Sequence, residues 1–224
     1  MKSETRLTKW TGILLLIFTL ISPVHYTLID AHLQIDLGMN SITAFINENK
    51  QLFLFGIGLD LIIFLIIPAI VSYMHSLTRK VNLELSRFAL LLTIISASVA
   101  IGNELTSNFA MSLAGEQPHI LGLDPEQRTA LMGLFLDIRS KAYIIVMISW
   151  SGALAIYFYL LNQKGFGLLP LLGSLFFILM GLACFLSVIF PGHQTKLAVM
   201  ITSSIVMIYQ IAASIWLIRW RPEV

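Results

Sequence analysis

The chain has 224 residues, of which 57% are hydrophobic and only 12% charged, with 14 Lys+Arg against 12 Asp+Glu. Soluble domains carry roughly 25% charged residues, so this composition excludes a soluble fold of the same size. A net charge of +2 excludes the dense basic surface that nucleic acid requires, and one cysteine, Cys184, excludes a disulfide scaffold.

A bilayer core roughly 30 Å thick takes about 20 apolar helical residues. Six runs meet that length almost without charge, at about 10–29, 51–74, 88–108, 140–161, 168–190 and 197–218. Each run is continuous rather than alternating, which predicts helices and not barrel strands. The expected fold class is therefore all-α: a polytopic membrane protein, one domain over 1–224, built as a bundle of six transmembrane helices with short loops. Its first partner is the lipid bilayer.

Lys2, Arg6 and Lys9 precede the first run as they would a secretory signal. The apolar stretch continues through Val24 and Tyr26 with no prompt small-x-small site, so the run is expected to remain as a span. Pro23 should kink its end, and His25 falls close to the span interior. In the next segment Leu33, Leu37 and Met39 oppose Gln34, Asp36 and Asn40, and Ile42, Phe45 and Ile46 follow. This pattern predicts a short helix lying at the outer surface.

An ionisable side chain in hydrocarbon costs about 2.5–3.5 kcal/mol on insertion scales, so it persists where it is paired or meets water. Asp60 is the clearest case, about 14 Å into the second span at 1.5 Å per residue. Gly56 shares its face one turn earlier, leaving room for a partner helix or a ligand, and Pro68 should kink the same span beyond it. The third span carries Thr93, Ser96, Ala100, Asn103 and Ser107 at helical spacing, a pattern more common in packing seams than in pocket linings. Glu104 beside that stripe adds nothing to close packing.

Asp124-Pro125-Glu126 forms an N-cap and first turn, and the helix it starts is expected to run through 129–137 into the fourth span. There Asp137 and Lys141 are one turn apart and can pair along the helix. Arg139 points about 200° away from Asp137 and needs another anion, which Asp60 or Glu104 could supply. In the fifth span Gly173, Phe177, Gly181, Cys184 and Val188 share a face suited to close helix approach. The sixth carries Thr202, Ser203, Gln210 and Ser214, with Gln210 expected to bond across to another helix. Trp10, Trp216 and Trp220 suit interfacial belts.

Positively charged loops resist translocation. With the N-terminus inside, the inner segments hold Lys2, Arg6, Lys9, Arg79, Lys80, Arg87, Lys164, Arg219 and Arg221, nine of the 14. Asp30, Asp36, Glu48, Glu116, Asp124 and Glu126 then fall in the two longer outer loops. Both termini are expected in the cytoplasm, with the chain in the cell (inner or plasma) membrane. In this orientation His25, Asn103, Glu104, Asp137, Arg139 and Lys141 fall toward the outer leaflet with Asp60 beneath them, and a shared outward-facing polar pocket is the economical reading. No histidine pair has the spacing of a metal motif, His32, His75, His119 and His193 lying in loops or at interfaces, so no metal is expected and no cofactor is specified.

Four fragments in fixed order carry a family resemblance. They are Trp10-Thr11-Gly12-Ile13-Leu14-Leu15-Leu16; Tyr73-Met74-His75-Ser76-Leu77-Thr78-Arg79-Lys80-Val81-Asn82; Phe135-Leu136-Asp137; and Lys164-Gly165-Phe166-Gly167-Leu168-Leu169-Pro170-Leu171-Leu172-Gly173. The chain resembles a bacterial six-helix membrane family known as domain of unknown function 4386. It departs from that family at Lys80, where Pro is favoured, and at Arg139, where His is favoured. The resemblance implies six spans and assigns no catalytic residue.

Three function classes stay open. The favoured one is binding or passage of a small molecule or ion through the polar pocket, which makes the protein more a binder than an enzyme. In the second, a membrane enzyme acts on a lipid or isoprenoid substrate, with Glu104 or Asp137 as acid/base and Arg139 or Lys141 holding an anionic head group. The third is a non-catalytic membrane subunit or stress protein, in which every polar group serves packing.

Overall fold

Local signals mark several helix ends. Asn82 caps a helix by accepting from the Leu85 backbone N–H at 3.0 Å. Asp124 accepts from the Gln127 N–H at 2.8 Å while the Gln127 side chain accepts from the Asp124 N–H at 3.2 Å, a reciprocal capping box just ahead of Pro125. The helix that begins there ends at a left-handed Gly165 (φ 89°). Gly165 and Phe166 donate back to Asn162 and Leu161, the paired bonds of a Schellman stop.

The computed structural model describes residues 2–29, 32–33, 38–114 and 122–220. Of the residues used above, Asp30, Gln34, Asp36, Leu37, Glu116, His119 and Arg221 lie outside the described set. The described residues form α1 (Lys2–Leu28), α2 (Met39–Glu48), α3 (Lys50–Thr78), α4 (Leu83–Ala114), α5 (Pro125–Gln163), α6 (Leu168–Ile189) and α7 (His193–Arg219), with no strand among them. All but α2 are long and apolar enough to cross a membrane. Their exposed side chains agree: Leu65 is 77% exposed and Ile208 66%, as suits chains facing lipid and not water. The fold is that of a polytopic helical membrane protein. The expected continuation of α5 is present, since its 39 residues span about 58 Å at 1.5 Å per residue, well beyond a bilayer core.

The chain divides into two compact units. Unit 1 comprises Met1–Leu20, Leu65–Ala97 and Ile144–Val224. Its core is aromatic. Phe158 stacks on Phe177 at 5.7 Å between centroids, and Tyr209 meets both rings edge-on. A Cβ on Gly173 would lie 2.0 Å from the Tyr209 hydroxyl oxygen, so glycine lets α6 and α7 close up while Tyr209 donates to the Leu169 carbonyl at 3.1 Å. The small-residue face expected on the fifth span thus packs at Gly173, Phe177 and buried Cys184. It fails at Val188, which is 56% exposed because it lies in the last turn of α6. Gln210 bonds across helices as expected, accepting from Thr19 at 3.3 Å. Trp216 and Trp220, expected at interfacial belts, pack on the buried Phe166 ring.

Unit 2 comprises Ile21–Phe64 and Ser98–Tyr143. One end is closed by an apolar cluster in which Ile42 and Ile46 of α2 pack with Ile29, Leu33, Phe53, Ala110, Leu113, Met132 and Leu136. The short helix expected within Asp30–Lys50 is present as α2, which starts at Met39 after Gly38 at φ 81°. Its apolar face turns inward onto the unit because the ends of α1, α3, α4 and α5 offer a larger apolar surface than a lone helix needs.

Candidate functional site

The site lies wholly within unit 2 and is built from one ionisable side chain on each of four helices. On α3, Gly56 and Asp60 share a face. A Cβ on Gly56 would sit 2.3 Å from Ile29 Cγ1 and 3.5 Å from His25 Nε2, so only glycine allows the end of α1 this close. That approach delivers His25, whose Nε2 stands 2.9 Å from Asp60 Oδ2. From α4, buried Glu104 comes within electrostatic reach of Asp60, Arg139 and His25. From α5, Arg139 Nε donates to Ser107 Oγ at 2.8 Å, one turn along α4 from Glu104.

His25, Asp60 and Glu104 are 4%, 8% and 7% exposed, so water does little to solvate them and their partners must. Buried Asn103 adjoins Glu104 in sequence and accepts from the Thr106 hydroxyl through its backbone carbonyl at 2.6 Å. Asp137 and Lys141 form the one-turn ion pair read from their spacing, but their side chains are 43% and 71% exposed. They answer each other at the surface and stand apart from the buried set.

The structure therefore brings together His25, Asp60, Glu104 and Arg139, with Asn103 beside them, and leaves Asp137 and Lys141 outside. It adds Ser107 as the holder of Arg139. The signal for that role was present in the stripe, since Ser107 is three residues from Glu104 and shares its face, but a serine in such a stripe reads as packing. Higher on the same helix, Ser96 does pack, donating to the Val146 carbonyl on α5 at 3.1 Å. Among the described residues no three His, Cys, Asp or Glu side chains are placed to hold a metal ion.

The sequence model of a family described as Domain of unknown function (DUF4386) matches residues 10–220. The chain belongs to this family. No curated protein and no solved structure matches it. The DUF4386 match covers the positions of His25, Asp60, Glu104 and Arg139.

Proposed function

We propose that this DUF4386 protein binds or passes a small molecule or ion at the cluster of His25, Asp60, Glu104 and Arg139. The reading rests on one observation: four separate helices each bring an ionisable group to one place, three of them buried and Arg139 half-buried. Packing alone rarely asks this of a membrane protein, because each such group must overcome its own desolvation. With both termini in the cytoplasm, as the Lys and Arg distribution supports, the cluster belongs to the outer half of a plasma or inner membrane. A lipid-modifying enzyme is less well supported, since Arg139 is held inward by Ser107 and Lys141 is taken by Asp137. A structural clamp has in its favour that the buried groups answer one another.

The test is thermal stabilisation of the purified protein by sodium, lithium, potassium and small amines, compared with Asp60→Asn. The natural protein should be stabilised by at least one probe, and the variant should fold normally while losing that response. A variant that loses fold and response together supports the clamp.

A further inference from the structure

We infer that unit 1 has a binding face for anionic phospholipid at the end where α1 begins, formed by Arg6, Lys9, Arg79, Lys80 and Arg219. Contacts within the unit bring these positions to one end. Lys164, just after α5, donates to the Leu77 carbonyl at 2.8 Å and pairs with Glu4. It thereby ties the end of α5 to the last turn of α3 and the first turn of α1. Trp220, just after α7, stacks on Phe166 at 4.2 Å between centroids, which adds the end of α7. Only residues 79–82 separate α3 from α4, so α4 starts at the same end.

The same pairing leaves the face without anions of its own. Among the described residues unit 1 holds two acids, Glu4 and Glu84. Lys164 takes Glu4, and Arg87 takes Glu84 at 3.3 Å. Arg6, Lys9, Arg79, Lys80 and Arg219 are all exposed, and none of them pairs with a carboxylate of the described residues. Like charges gathered on one body repel each other and draw anions from outside.

The apolar neighbours of these cations select lipid over an acidic protein as the source of those anions. Trp10 follows Lys9, and Leu83 and Phe88 lie beside Arg87 at the start of α4; all three are exposed. Aromatic rings and long cationic side chains at the ends of spans sit at head-group level, where the surrounding membrane presents phosphate. A zwitterionic head group carries its own ammonium, whereas an anionic one brings a net negative charge, so the face prefers the second. This inference concerns unit 1 alone and is independent of the ionisable cluster in unit 2.

Tryptophan fluorescence tests it, because Trp10, Trp216 and Trp220 lie at this end. The whole protein is placed in phosphatidylcholine vesicles in which a minor share of the lipid carries bromine close to the head group, as either phosphatidylglycerol or phosphatidylcholine. Brominated phosphatidylglycerol should quench more strongly, and the excess should fall in high salt, which screens exposed charges. The double variant Arg79→Gln, Lys80→Gln should fold normally and lose apparent affinity for phosphatidylglycerol by about fivefold for each charge removed. Lys196→Gln, at the other end of α7, should leave the preference unchanged. Equal quenching by the two lipids overturns the inference and leaves the face to an acidic protein. A preference undiminished in the double variant overturns it as well. So does loss of the preference to inorganic phosphate at matched ionic strength, which would make the face a site for free anions.

Discussion

Both units bury polar side chains, but of different kinds. In unit 1 they are mostly hydroxyls answered by their own helix: Thr11 donates to Leu7, Thr19 to Leu15, Thr93 to Ala89 and Ser214 to Gln210, each one turn back. In unit 2 the buried groups include two carboxyls and an imidazole, and they are answered from other helices. The difference follows from what a helix can offer. Its side chains reach backbone carbonyls, which are acceptors, while the amide hydrogens are already spent in the helix ladder. A hydroxyl is therefore satisfied at home and a carboxyl is not. Unit 1 can be held by shape, whereas unit 2 depends on donors arriving from α1 and α5.

The largest break in this comparison is expected from Arg139→Gln. It removes the positive charge beside Glu104 and the bond to Ser107 while leaving both acids buried, and a buried charge left uncompensated costs about 3–5 kcal/mol. The thermal midpoint should fall steeply. Adding Glu104→Gln should recover much of the loss, since a single Asp60–His25 pair then remains. No recovery in the double variant would mean that Arg139 matters for its packing and not its charge.

Next come the two glycines that set the close approaches, one in each unit. Gly173→Ala drives a methyl into the Tyr209 hydroxyl, and Gly56→Ala drives one into Ile29. Overpacking of this kind costs about 1–3 kcal/mol. The two should resemble each other in stability and differ in chemistry. Gly173→Ala should leave any cation or amine response of the cluster unchanged, while Gly56→Ala should weaken it by pushing His25 away from Asp60. Equal effects of both on that response would deny that Gly56 positions the cluster.

Features set along one helix were legible in the sequence. The N-cap of α5 at Asp124, the Asp137–Lys141 pair and the shared face of Gly56 and Asp60 are all local features of a few residues of chain. Relations between helices were only partly legible. Asp60, Glu104, Arg139 and His25 each stand out as ionisable groups in oil, yet no spacing assigns His25 to Asp60; that pairing depends on how closely α1 meets Gly56. Ser107 was seen as part of a seam, since its Arg139 contact exists only once α4 and α5 are side by side. The positive φ at Gly38 ahead of α2 has no signal in the amphipathic pattern of that segment, since it belongs to the folded chain.

The smallest effect is expected where the sequence placed a site residue and the structure leaves it exposed. Lys141 and Asp137 are bonded to each other, but exposed pairs contribute about 0–1 kcal/mol because water screens the attraction and two flexible side chains must be held still. Lys141→Gln should therefore shift the thermal midpoint little. It should keep any response to cations or amines that the natural protein shows. If Lys141→Gln instead abolishes that response while the fold persists, the binding site extends to the exposed face of α5. The cluster of His25, Asp60, Glu104 and Arg139 would then be its support and not its centre.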